Sequence, residues 1–217
     1  MSRAMYICFE GLEGCFKTTH AKKLTEYLQS IGKTVLLTKE PGTPLAPLTM
    51  ELRGIMLDAK YDGELTVPAR EMISQAIRSI HLERVILPAL DKYDYIVQDR
   101  GILSGLAYGH ACGNSHWFLT QLMNEVTKVT GREPYNIYDR VLYLKNDAAK
   151  GLARAKAAKQ EFAAGDSIEA KGVSFMEKVA FDMDDMVKAF PHSIIDVEGK
   201  SVPENFAEIL RNLDLGV

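Results

Sequence analysis

From Tyr6 an apolar run ends in Glu10-Gly11, passes through Leu12-Glu13-Gly14-Cys15-Phe16 and reaches Lys17-Thr18-Thr19 ahead of an amphipathic segment. A strand, a glycine-bearing loop and a helix in that order form a cradle for phosphate, because backbone N–H groups at a helix N-terminus point at the anion. In such a loop the lysine reaches the terminal phosphates and the hydroxyl after it holds Mg²⁺, roles that fall here to Lys17 and Thr18. The candidate ATP-binding set is therefore Gly11, Gly14, Cys15, Phe16, Lys17, Thr18 and Thr19. One position departs from the pattern. Phe16 stands where the motif has a glycine whose small size lets the backbone approach phosphate. A helical conformation at Phe16 would turn the ring away and leave the loop amides usable.

A second constellation is Asp99-Arg100 after an apolar run, where the carboxylate can serve Mg²⁺ or its waters and the guanidinium can reach phosphate. Transfer of a phosphoryl group between two anions needs positive charge around the moving group and alignment of donor with acceptor. Arg53 can clamp an acceptor phosphate in two-pronged fashion. Arg154, Lys156 and Lys159 lie close to one helical face and can close over the transferring group.

These residues need a scaffold that aims loops at one point. Short apolar strands alternate with longer helical patterns, which indicates a parallel sheet covered by helices on both faces. Strands are expected near Met5–Glu10, Val35–Lys39, Tyr95–Gln98, Val141–Lys145 and Ser193–Val197. Helices are expected at Thr18–Ile31, Leu48–Leu57, Pro68–Leu90 (with Thr66 as its cap), His116–Val129, Ala148–Ala163, Phe175–Phe190 and Pro203–Leu213. Ligands in such sheets bind beyond the carboxyl ends of the strands, so the loops after the first three strands should converge. The loops Glu40-Pro41-Gly42-Thr43-Pro44 and Ala164–Ser167 stand out as functional candidates.

Composition narrows the class. With 217 residues, 47% apolar and 25% charged, the chain reads as a single α/β domain over 1–217. A net charge of -3 argues against binding polymeric nucleic acid or an acidic membrane. The odd set Cys8, Cys15 and Cys112 has no metal-ligand spacing and fits a reducing compartment. No apolar run has the length of a membrane span, and Met1-Ser2-Arg3-Ala4 leads straight into a strand, so a cytoplasmic location is expected.

Along nearly all its length the chain resembles the thymidylate kinases. Glu10–Thr19 is similar to their phosphate loop apart from Cys15 and Phe16, Lys39-Glu40-Pro41-Gly42-Thr43 to their Arg-Glu-Pro-Gly-Gly turn, and Asp99-Arg100 with Ser104, Ala107 and Tyr108 to the segment after their third strand. Pro88–Leu90, Leu142–Leu144 and Asp166-Ser167-Ile168-Glu169 also have counterparts. The resemblance implies a three-layer α/β/α P-loop fold with a five-stranded parallel sheet and a helical lid over about 154–172. It implies transfer of the γ-phosphate of ATP, with Mg²⁺, to a deoxynucleoside monophosphate, dTMP giving dTDP first of all, in a homodimer. It also assigns catalytic roles to Lys17, Arg100, Asp99, Glu13 and Arg154, and metal contacts to Thr18 and Asp99. The acceptor would meet Glu40, Arg53, Ser74, Arg78, Arg100, Ser104, Gly105 and Tyr108, with Glu13 near its sugar and Tyr108 crowding the 2′ position.

The departures raise two alternatives. Ser74 replaces the aromatic residue that stacks on thymine, Gln75 follows it, and Gly105 replaces a polar pocket residue, which suggests another or modified base. Phe16 and a lid with Ser167 in place of arginine suggest nucleotide binding without transfer.

Overall fold

The computed structural model describes residues 3–159 and 171–215. Among the described residues, β1 (Met5–Glu10), β2 (Val35–Lys39), β3 (Tyr95–Asp99), β4 (Arg140–Lys145) and β5 (His192–Asp196) form one sheet in the order β2-β3-β1-β4-β5. All neighbouring pairs are parallel, and the register sets Phe9 beside Asp99 on one side and Leu142 on the other. The three layers follow from strand alternation. Tyr6 and Cys8 of β1 join one apolar cluster, while Ile7 and Phe9 join another; Val141 and Tyr143 of β4 divide from Leu142 and Leu144 in the same way. Central strands buried on both faces are what a parallel sheet requires.

One face is covered by α1 (Lys17–Ser30) and α9 (Val202–Asn212), which add Leu24, Leu28 and Ile209 to the cluster of Ile7 and Phe9. A capping box between Ser201 and Glu204 starts α9. The remaining helices are α2 (Pro47–Leu57), α3 (Val67–His81), α4 (Leu87–Leu90), α5 (Ile102–Ala111), α6 (His116–Thr127), α7 (Ala148–Lys159) and α8 (Val173–Met186). The opposite core takes Leu103 and Leu106 from α5, Met123 from α6 and Met183 from α8.

The expected strands all form, with end shifts of a residue or so. Thr66 caps α3 by accepting the Ala69 N–H at 3.3 Å. Two helical expectations need correction. The long helix expected over Pro68–Leu90 is interrupted by a π-helical turn, Leu82–Ile86, before α4. Pro88 brings no N–H and its ring would clash with the carbonyl four residues back, so the ladder widens ahead of it. α5 was not expected at all. Its Gly105 and Gly109 are poor helix formers, and it buries Ile102, Leu103, Leu106 and Ala107 so extensively that no polar face marks it as amphipathic. The expected end of α7 at Ala163 and the candidate loop Ala164–Ser167 lie outside the described residues, as does most of the expected lid.

His20 on α1 is fully buried, its ring parallel to Phe206 of α9 with centroids 6.3 Å apart, and neither ring nitrogen has a hydrogen-bond partner among the described residues. Burial first, and then Lys23, push its pKa down from 6.5 to about 4. The unfolded chain therefore takes up a proton that the folded chain refuses, and stability is lost as pH falls from 6.5 toward about 4. In denaturant titrations across that window, His20→Leu should lose part of the wild-type acid sensitivity. Parallel pH curves for the two proteins would contradict this.

Candidate active site

The carboxyl ends of β1, β2 and β3 open onto a cavity of about 840 Å³. Its wall takes Glu13, Gly14 and Phe16 from the loop after β1, Lys17 to Thr19 from the start of α1, Glu40 from the loop after β2, and Arg53 from α2. Ser74 and Arg78 of α3, Asp99 and Arg100 at the end of β3, Ser104, Gly105 and Tyr108 of α5, and Arg154 of α7 complete the assigned set around it. Gly11 and Cys15 are the two assigned residues that do not line the cavity. Gly11 holds φ 141, and a Cβ there would collide with the Leu144 carbonyl oxygen, while Cys15 is fully buried in the β1–α1 core.

Phe16 is not helical. It is the N-cap of α1 in the left-handed region, at φ 66 and ψ 20, where a bulky residue is strained. The backbone thus keeps the conformation that glycine would adopt freely. No side chain caps α1, so its first N–H groups are not taken by a capping oxygen. The ring is clamped instead of loose. The Arg154 guanidinium lies 5.2 Å from its centroid, donates from Nε to the Gly14 carbonyl at 2.9 Å and pairs with Glu198 at 2.9 Å. Lys17 Nζ, folded back on the loop, donates to the Leu12 carbonyl and lies 3.4 Å from Cys15 Sγ.

Charge concentrates where β1 meets β3. Thr18 Oγ1 donates to Asp99 Oδ2 at 2.5 Å. Arg100, itself left-handed at φ 65, donates to the Gly11 carbonyl at 2.9 Å, to Ser104 Oγ at 3.2 Å and to Glu13 Oε1 at 2.8 Å. The Tyr108 hydroxyl donates a hydrogen bond to Glu13 Oε2 at 2.5 Å. Burial works against ionisation of Glu13, but Arg100, Lys17 and the Tyr108 bond outweigh it and hold the carboxyl below its usual range.

On the acceptor side, buried Glu40 accepts from Arg78 Nε at 2.9 Å and meets His81 Nδ1 at 2.9 Å. Burial disfavours its charge, yet Arg78 and His81 prevail and lower its pKa. Arg53 donates to the Pro41 carbonyl at 2.7 Å, across the turn that follows Glu40. Ser74 lines the cavity as a small hydroxyl with no aromatic face. A Cβ on Gly105 would lie 2.7 Å from Arg78 Nη2, so the guanidinium occupies the room that glycine leaves. Lys156 is exposed on α7, away from the cavity lining, and the side chain of Lys159 lies outside the described residues.

Residues 9–209 match the family model for thymidylate kinase. The thymidylate kinase of Gluconobacter oxydans is 34% identical over 203 residues, spanning 93% of this chain and 90% of its own. That of Acinetobacter baumannii is 30% identical over 204 residues, spanning 94% and 96%. The chain belongs to the thymidylate kinase family. The fold agrees with a crystal structure of thymidylate kinase from Ehrlichia chaffeensis, with a TM-score of 0.73 at 22% identity, covering 97% of this chain and 98% of that one.

Within this thymidylate kinase family member, Glu10 escaped the sequence reading. Fully buried at the end of β1, it accepts the Gly101 N–H at 2.8 Å, the Ser104 N–H at 3.1 Å and the Ser104 hydroxyl at 2.5 Å. It thereby caps α5 from another strand, although burial raises its pKa against the pull of Ser104. A carboxylate closing an otherwise apolar strand was the available signal. His81 and Glu198, which brace Glu40 and Arg154, were also missed, because each acts on a residue remote in sequence.

The Phe16 geometry separates two energies. Phe16→Ala keeps the left-handed strain and loses the ring contact with Arg154, so it should be less stable than wild type. Phe16→Gly should exceed Phe16→Ala by about 1 kcal/mol in urea unfolding, because glycine adopts positive φ without a Cβ penalty. Equal stability of the two variants would contradict a left-handed Phe16.

Proposed function

We propose that the protein transfers the γ-phosphoryl group of ATP to dTMP, giving ADP and dTDP. The observation that carries this reading is the meeting of Lys17 and Thr18 of the phosphate loop with Arg53, Arg100 and Tyr108 in one cavity, in a chain of this family. ATP lies with its phosphates on the loop amides and Lys17. The dTMP phosphate lies toward Arg53 and Arg100, and its sugar toward Glu13 and Tyr108. An acceptor phosphate oxygen attacks the γ-phosphorus as the bond to the β–γ bridging oxygen breaks, and ADP leaves. Arg100 and Lys17 stabilise the charge that spreads over the moving group. Arg154 already bonds the loop at Gly14 and is well placed to follow α7 onto the donor.

Thr18 and Asp99 supply a hydroxyl and a carboxylate, hard oxygen donors of the kind that suit Mg²⁺. Among the described residues no cluster of three or more acidic, histidine or cysteine side chains forms, which fits an ion held largely by phosphate and water. Mg²⁺ would neutralise phosphate charge there. The reading includes a homodimer, to which exposed Trp117 and Phe181 can offer apolar surface, and light scattering tests it. It also includes a cytoplasmic setting, in which Cys8, Cys15 and Cys112 stay as thiols. No helix among the described residues is long and apolar enough to cross a membrane.

The test is ADP formation that depends on dTMP, with dTDP identified by mass. Nucleotide binding without turnover would contradict the reading. Lys17→Ala should lower kcat by at least about a hundredfold while the protein stays folded, since the lysine acts on charge that develops in the reaction. Near-normal turnover would remove Lys17 from the donor site. Arg53→Ala should raise the KM for dTMP about tenfold and that for ATP much less, because a charge-assisted contact to the acceptor alone is lost. Equal effects on both substrates would count against that placement.

A further inference from the structure

A ladder of polar groups on α3 continues beyond Arg78. Arg78 Nη1 donates to Gln75 Oε1 at 3.0 Å, and Gln75 Nε2 donates to Glu71 Oε1 at 2.7 Å. The Glu71 carboxylate therefore stands one amide's width past the guanidinium, and both residues are buried and line the same cavity. α5 faces each of them with a glycine. A Cβ on Gly105 would approach Arg78 Nη2 to 2.7 Å, and one on Gly109 would approach Glu71 Oε2 to 2.8 Å. These glycines are one helical turn apart, so the helix is cut away at both levels where α3 presents a polar head. Among the described residues, nothing donates a hydrogen bond to Glu71 Oε2. That oxygen faces the cavity, where a bound molecule can supply a donor.

The chemistry of the ladder restricts that donor. Arg78 can only donate, so the ring edge it meets carries a carbonyl, and an amino group there would face it donor to donor. The hydrogen for Glu71 then comes from one of the two groups beside that carbonyl, the ring N–H or the substituent on the neighbouring carbon, and the second needs more room. Ser74 leaves the pocket wider at this end than an aromatic ring would. We propose that Glu71 selects the acceptor base by accepting a hydrogen bond from a hydroxyl or amino group on the C5 substituent of a deoxyuridine-type monophosphate. Such acceptors bind in preference to dTMP, which lacks the donor. Burial raises the Glu71 pKa, with Gln75 and Arg78 opposing, and a donor from the ligand favours the ionised form further. The inference rests on the acceptor site assigned under Proposed function.

The probes are dTMP and 5-hydroxymethyl-dUMP, which differ by one hydroxyl. Dissociation constants are measured by calorimetry for the full chain and for Glu71→Leu, alongside turnover with each probe. The wild type should bind the hydroxymethyl compound about tenfold more tightly. Glu71→Leu should bring that ratio to about one, whereas a merely structural role would weaken both probes alike and leave the ratio at about tenfold. Glu71→Gln keeps the shape but not the charge and should cut the preference severalfold, which serves if the leucine variant does not fold. No preference in the wild type overturns the proposal, as does a preference that stays at about tenfold in either variant. A preference in binding without turnover of either probe would support Glu71 as the selector and count against the kinase reading alone.

Discussion

The arrangement of the cavity depends on Arg100. Its backbone is left-handed at φ 65, a conformation that costs roughly 1–2 kcal/mol for a residue with a Cβ. The turn lets its N–H reach the Phe9 carbonyl at 2.9 Å, locking the end of β3 to β1, while the side chain swings across to the phosphate loop. There one guanidinium joins Gly11, Glu13 and Ser104, which belong to the loop after β1 and to α5. A planar fork holds its donors on separate nitrogens in fixed directions, whereas an ammonium gathers its three on one atom of a flexible stem. Donor loop and acceptor wall are thereby held at a set distance by one side chain.

Glu10 and the glycines of α5 make that bridge possible. Glu10 draws the N-terminus of α5 against the end of β1, and the absence of side chains at Gly105 and Gly109 lets α5 lie close over Arg78 and Glu71. The N-terminus of α5 is thus fixed from β1, and its middle accommodates polar heads from α3. The Glu40–Arg78–His81 group ties the same wall to the loop after β2. Charge is buried throughout, but in these groups each carboxylate meets a cation or several N–H donors, which is the condition for burying it.

Local patterns carried most of the architecture. Short apolar runs between amphipathic helices are visible without any partner in hand, and β1 through β5 were accordingly legible. The assigned residues also converge as the strand-end rule requires, from Lys17 to Tyr108. What was not legible depends on distant contacts. α5 is defined by burial on several sides and a cap lent by Glu10, and Phe16 by its fit beneath Arg154, itself held by Glu198. The π turn before Pro88 reflects a missing N–H whose remedy could not be read from residue types. The family resemblance did not reveal the Glu71 ladder, which is built from hydrogen bonds between side chains along α3.

The most direct measurement is steady-state kinetics of Arg100→Lys with ATP and dTMP, together with its thermal stability and its affinity for ATP. Lysine keeps the charge but gathers its donors on one nitrogen of a flexible stem and loses the rigid fork that joins Gly11, Glu13 and Ser104. The account predicts a folded protein that still binds ATP and turns over at least about a hundredfold more slowly, because aligned charge at the moving phosphoryl group is lost. Turnover within a few fold of wild type would contradict it, since charge alone would then suffice and the bridge would have no part in bringing donor and acceptor together.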